Sequence, residues 1–115
     1  MIPISNRLKK KKDFESVFKN GQGCKEDFLY LKFFKNSRDI SRFGFIVSKK
    51  FSNKAVIRNK IRRRLRSLVN LVLPKIKKGI DVVIIVRPGL DITDFWELED
   101  KINKLFKKAG ITELE

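Results

Sequence analysis

Apolar positions along this chain switch between helical and extended spacing several times, and each switch predicts an element. Over residues 54–73, Ile57, Ile61, Leu65, Leu68 and Val72 fall on one narrow face when placed at about 100° per residue, and Pro74 limits the helix. Residues 80–86, IDVVIIV, form a continuous apolar run of strand length, the pattern of a strand covered on both faces. Residues 28–35 have strand composition, with Phe28, Tyr30, Lys32 and Phe34 on one side and Leu29, Leu31 and Phe33 on the other. A second strand is expected over 42–48, and residues 36–39 between the two are consistent with a hairpin loop. Residues 13–20 predict a short helix with Phe14 and Phe18 as i, i+4 neighbours and Gly21 as its C′ residue. Residues 22–27 read as a turn, and residues 75–79 as a turn or short helical piece. A last helix spans 94–109, with Phe95, Leu98, Ile102, Leu105 and Phe106 as its apolar face, Asp94 and Glu97 as a capping box, and Gly110 as its stop. The expected order is α-β-β-α-β-α, an α+β sandwich with helices packed on a short sheet. It forms one domain over residues 1–115, and residues 1–12 are read as a mobile basic arm.

Charge changes this picture. The chain carries 28 Lys and Arg against 13 Asp and Glu, a formal net charge of +15. Residues 49–66, KKFSNKAVIRNKIRRRLR, hold nine basic side chains and no acidic one. On the predicted helix, Asn59, Arg62, Arg63 and Arg66 lie opposite the apolar stripe, and Arg58, Arg62 and Arg66 advance at i, i+4, i+8. Arg64 falls beside the stripe, so either its stem snorkels along the edge or the helix is only partly buried there. Like charges at i, i+4 cost a few tenths of a kcal/mol per pair, roughly. An ordinary solvated face mixes Lys with Glu, yet residues 40–80 contain thirteen Lys and Arg and no Asp or Glu. A polyanion would relieve that repulsion, so the pattern points to nucleic acid. Residues 81–115 are slightly acidic, with 5 basic and 8 acidic side chains, and are not where the polyanion is expected. An anionic membrane would also attract the basic helix, but its apolar face carries no Trp and is sized for a protein core.

Several chemistries are excluded. There is no His, so the commonest general base is missing, and Cys24 alone can form neither an intramolecular disulfide nor a zinc set. Cys24 reads as an incidental free thiol of a reducing cytosol, and no apolar run suits a signal peptide or membrane span, so a cytoplasmic location is expected. No phosphate-binding glycine motif occurs. Asp91 and Asp94 at a helix start are better explained as caps than as metal ligands, so no catalytic or metal-binding residue is assigned to the polypeptide. RNA-binding parts are abundant instead. Arg gives bidentate contacts to phosphate and guanine, and unpaired bases stack on aromatic rings. Phe14, Phe18, Tyr30, Phe33 and Phe34 are the candidate rings. A helix-turn-helix would need a helix packed just before the basic one, where strands are expected, so DNA is not the predicted partner.

The runs GFIVSKK, NKAVIRNKIRRRLR and IDVVIIVRPG, together with RLKKKKDFESVFKNG near the start, resemble the protein subunit of bacterial ribonuclease P. The resemblance runs in order from about Arg7 to Lys108. Its signature is Arg-Asn-Arg, which stands here as Arg58-Asn59-Lys60, and residues 51–54 lack the glycine usual before it. The resemblance implies that a catalytic RNA with Mg2+ performs the cut that exposes the mature tRNA 5′ end, the protein binding no cofactor itself. It implies that Lys54, Arg58, Asn59, Lys60, Arg62, Arg63 and Arg66 face the catalytic RNA. A cleft holding the 5′ leader of precursor tRNA would include Phe14, Phe18 and Val47, with Lys49 and Lys50 at its rim. Tyr30, Leu31 or Lys32 could take the place of the family's cleft tyrosine. The fold would contain a βαβ crossover of the rare left-handed type, against the usual preference. The alternative function is a structural protein using the same helix on ribosomal RNA.

Overall fold

A computed structural model describes residues 3–26, 28–50, 52–87 and 95–112. Helix α1 spans Lys11–Asn20, strand β1 Gln22–Glu26, β2 Leu29–Lys35, β3 Arg42–Val47, helix α2 Ala55–Val72, strand β4 Ile80–Val86 and helix α3 Phe95–Ala109. The four strands form one mixed sheet in the order β1-β2-β4-β3. Strands β1 and β2, and β2 and β4, pair antiparallel, while β3 and β4 run parallel and are joined through α2.

The hairpin expected between β2 and β3 does not form, because β4 lies between them. The reason is legible in β4 itself. Asp81, Val82, Val83, Ile84 and Val86 are buried on both faces, so this strand must occupy the middle of the sheet, and β3 takes the edge. Residues 22–27, expected as a turn, supply strand β1 instead. Its sequence QGCKE has no alternation of its own; β2 templates it, and Tyr30 lies across Gly23, where a Cβ would come within 2.5 Å of the Tyr30 hydroxyl.

Side chains alternate across the sheet and so sort into two layers. On one face Leu29, Leu31, Phe43, Val47, Ile80, Val82, Ile84 and Val86 join α2 and α3 in the main core. Helix α2 contributes Ile61, Leu65, Leu68 and Val69, with Ile57 and Val72 half-buried at its ends; helix α3 contributes Leu98, Ile102, Leu105 and Phe106. Phe43 and Phe106 meet at 6.4 Å between ring centroids. The capping box assigned to Asp94 and Glu97, and the Phe95 ring, lie outside the described residues.

Among the described residues, α1 and the segment preceding it cover the other face. Val17 packs on Val83 with Leu8, while Phe14, Ile46 and Ile85 flank them. Residues 3–10 therefore depart from the expected mobile arm: Leu8 is buried, and its N–H donates to Phe43 O at 2.8 Å, adding a short parallel bridge to the β3 edge. Gly21 also has a different role from the one expected. Its φ of −79° is ordinary, so it is no left-handed cap, unlike Gly110 at φ +72°. A Cβ on Gly21 would instead sit 2.4 Å from Val17 O and 2.8 Å from Phe33 O, both backbone atoms that cannot step aside. Gly21→Ala is accordingly expected to destabilise the protein by about 1–3 kcal/mol. Urea melts check this, since a glycine serving only as a flexible linker would give a neutral or slightly stabilised variant.

Candidate nucleic-acid interface

Two surfaces carry the candidate residues. The first is the outer face of α2. Asn59, Lys60 and Arg63 are exposed, while Arg58, Arg62, Arg64 and Arg66 are half-buried. Arg62 Nη1 donates to Asn59 Oδ1 at 2.5 Å, one turn away, and Arg58 Nη1 donates to Ser52 O at 2.9 Å. The Arg66 guanidinium lies 6.0 Å from the Phe45 ring centroid. Burial lowers the Arg66 pKa from its ordinary value, and the nearby charges of Arg7 and Arg62 lower it further. The N-terminal segment thus brings Arg7 to the arginine face, a residue that reading α2 alone misses. Lys54 caps the helix through an extended backbone, with no side-chain cap and no acid in the first turn. Positive charge at that end opposes the helix dipole, and an anion would favour both.

Arg7, Lys9 and Arg66 also line a recess of about 200 Å³ against Phe14, Gly44 and Phe45. This recess joins the arginine face to the second surface, the sheet face beside α1.

Pairing register resolves that face into rows. Lys32, Val83 and Gly44 are partners, and α1 covers this row: Val17 packs on Val83, the Phe14 ring fills the space where a Gly44 Cβ would be, and Lys32 Nζ donates to Phe18 O at 2.8 Å. One row on, Lys25, Tyr30, Ile85 and Ile46 run across all four strands beside the helix. Tyr30, Ile85 and Ile46 are half-buried, Phe14 is half-buried, and Phe18 is 36% exposed. The Arg87 guanidinium stacks 4.8 Å from the Tyr30 centroid, with its backbone N–H held by Phe28 O at 2.8 Å. Exposed Lys49 and Lys50 follow β3 at the same end.

This geometry corrects one assignment and resolves another. Val47 points to the opposite face, buried in the α2–α3 core, because residues of β3 alternate and Phe43, Phe45 and Val47 share a side. Ile46 occupies the trough in its place, opposite Ile85, and neither was expected there. Of residues 30–32, Leu31 is fully buried on the core face and Lys32 is tied to α1, so Tyr30 is the one in the open row. The result is a trough with aromatic and aliphatic walls and a cationic rim, suited to bases stacking on rings while Lys and Arg meet phosphates.

On the other side of α1 lies the row Phe34, Asp81 and Arg42, and Arg42 is the member that reaches the helix. Arg42 grips buried Asp81 through Nε at 2.8 Å and Nη2 at 2.6 Å, and reaches Asp13 of α1 with Nη1 at 3.2 Å. Asn36 completes the network by donating to Asp81 Oδ1 at 2.8 Å. The two carboxylates are thus engaged by one guanidinium. Among the described residues no group of three or more His, Cys, Asp or Glu is placed to hold a metal ion. No described helix is long and apolar enough to cross a membrane.

A family model described as Ribonuclease P matches residues 2–110. The ribonuclease P protein component of Synechocystis sp. is 37% identical over 111 residues, covering 96% of this chain and 90% of the relative. That of Clostridium botulinum is 37% identical over 107 residues, covering 92% and 96%. The solved RNase P protein of Thermotoga maritima superposes with a TM-score of 0.81 at 36% identity, covering 89% of this chain and 96% of that one. The protein from Staphylococcus aureus gives 0.86 at 27% identity, covering 93% and 97%. Agreement of sequence along nearly the whole chain, and of fold, places this chain in the ribonuclease P protein family.

Proposed function

We propose that this protein is the protein subunit of a ribonucleoprotein endoribonuclease that removes the 5′ leader from precursor tRNA. Helix α2 docks on the catalytic RNA through Lys54, Arg58, Asn59, Lys60, Arg62, Arg63 and Arg66. The trough between α1 and the sheet holds the single-stranded leader on Phe14, Phe18 and Tyr30, with Lys49, Lys50 and Arg87 at its rim. The observation that carries this reading is the arginine face of α2, set within residues 40–80 that hold no carboxylate, on the fold of this family.

Mg2+ and the cutting step belong to the RNA in this proposal. Among the described residues, Asp13 and Asp81 do not suit a metal, since both are already bridged by Arg42. The chain's own contribution is positional: α2 meets phosphates, and the trough holds an unpaired strand beside them.

The trough is tested with leader-bearing and mature tRNA. Phe18→Ala is expected to weaken binding of leader-bearing substrate by about 1–2 kcal/mol while leaving mature tRNA binding and the melting temperature nearly unchanged. Phe14 packs on Gly44 and the Leu8–Val17–Val83 cluster, so Phe14→Ala should lose both stability and leader binding. Equal losses of leader-bearing and mature tRNA for Phe18→Ala would remove the trough assignment. Copurification with ribosomes rather than one large structured RNA would favour a ribosomal role.

A further inference from the structure

A second hollow lies at the far end of the sheet, beyond α1 from the trough. It has a volume of about 410 Å³, within the range of small-ligand sites. Phe33, Phe34, Ile80 and Ile111 give it apolar walls, and Lys35 and Lys77 stand at its border. Phe34 belongs to the sheet face that carries Tyr30, four residues further along β2, so roughly 13 Å separates them. Phe34 is 38% exposed, and its cross-strand partner on that face is Asp81, so no apolar neighbour in the sheet covers it.

The border is built rather than loose. The Lys77 N–H donates to Ile111 O at 2.8 Å, and the buried Ser41 hydroxyl donates to Lys77 O while accepting from Ile80 N–H at 3.2 Å. Asn36 N–H donates to Gly79 O at 2.9 Å, fixing the turn that follows. These pinned segments adjoin an exposed phenylalanine and two lysines around one hollow, and Asn20 and Gln22 at the α1–β1 junction complete its lining. No Asp or Glu is among its lining residues. A purely apolar ligand would leave the two ammonium groups unanswered, and a simple anion would leave Phe34 uncovered. A flat heteroaromatic ring carrying a phosphate answers both.

We propose that this hollow is a third RNA contact, holding one unpaired nucleotide with its base against Phe34 and its phosphate between Lys35 and Lys77. The inference rests on the reading of the protein as an RNA partner and extends it to a surface that neither α2 nor the leader trough includes. The nucleotide could come from the catalytic RNA or from a leader long enough to pass α1; the chemistry is the same.

The test uses the full chain with adenosine and uridine monophosphates, followed by NMR, and then with each RNA. The expected result is chemical-shift change centred on Phe34, Lys35, Lys77 and Ile111, lost in Phe34→Ala. Phe34→Ala and Lys77→Gln should each weaken RNA binding about five- to tenfold, with unchanged melting because both side chains are exposed. A loss confined to the catalytic RNA names that RNA as the source; a loss only with long-leader substrate names the leader. Shifts confined to the trough and α2, with full RNA affinity in both variants, would overturn the proposal. That outcome would leave the proposed function standing, because Arg62→Ala and Phe18→Ala test it at separate sites.

Discussion

Arg42→Ala is expected to unfold or nearly unfold the protein, with a loss of about 3–5 kcal/mol. The Asp81 side chain is 8% exposed and Arg42 13%, so removing the guanidinium strands a carboxylate inside the sheet. The same change cuts the link to Asp13, which holds α1 over the sheet. For a domain of this size the melting temperature should fall by roughly 12–20 °C. The hydrogen bond to Asp81 is the main cause raising the Arg42 pKa above its ordinary value; burial opposes it, and the charges of Asp81 and Asp13 add to it. A cation whose folded pKa is raised loses its stabilising contribution only as pH climbs through that value. The Arg42 cation therefore contributes a constant amount between about pH 5 and 9. Replacing both partners, as in Arg42→Met with Asp81→Leu, should recover much of the loss, since no unpaired charge remains inside the sheet and the more exposed Asp13 can be solvated. If Arg42→Ala melts within a few degrees of the parent, the network is not what holds α1 in place.

Removing Arg62 and Arg66 together should produce the largest loss of RNA affinity. Each charge-assisted contact to phosphate contributes about 1.5–3 kcal/mol, so the pair should cost a hundredfold or more. The slope of log affinity against log salt should flatten by about 0.7–0.9 per arginine. Both side chains are half-buried on the solvent side of α2, and Arg66 leans on Phe45 while the charges of Arg7 and Arg62 press on it. Phosphate would relieve that repulsion, so the affinity loss should far exceed any change in stability. Thermal melts of the double variant check that the fold survives. Unchanged affinity and slope would take α2 out of the RNA interface.

Helix α2 was legible without a structure, because its two faces are written in one-dimensional spacing: Ile61, Leu65 and Leu68 inward, Asn59 and Arg63 outward. Strand β4 was equally legible, since seven consecutive residues of IDVVIIV suit only a strand covered on both sides. What escaped were properties that depend on a neighbour. Strand β1 exists because β2 offers an edge, and Gly21 is glycine because the Phe33 carbonyl passes too close for a Cβ.

Site residues divide along the same line. Residue type and helical spacing grouped the arginines on one face of α2 and paired Phe14 with Phe18, because that geometry is local to one helix. Assigning Val47 to the trough failed because which face of β3 lies under α1 is set by register with β4, and one residue's shift moves a side chain to the other layer. Register likewise put Ile46, Ile85 and Tyr30 in one row, and brought Asp13, Arg42 and Asp81, widely separated in the chain, into one network. The sequence by itself determined the elements other than β1 and the sign of the partner's charge, because periodicity and composition are local sums. Only the tertiary structure decided strand order, the membership of the trough and the ion network beneath α1, because those depend on which distant backbones come to lie side by side.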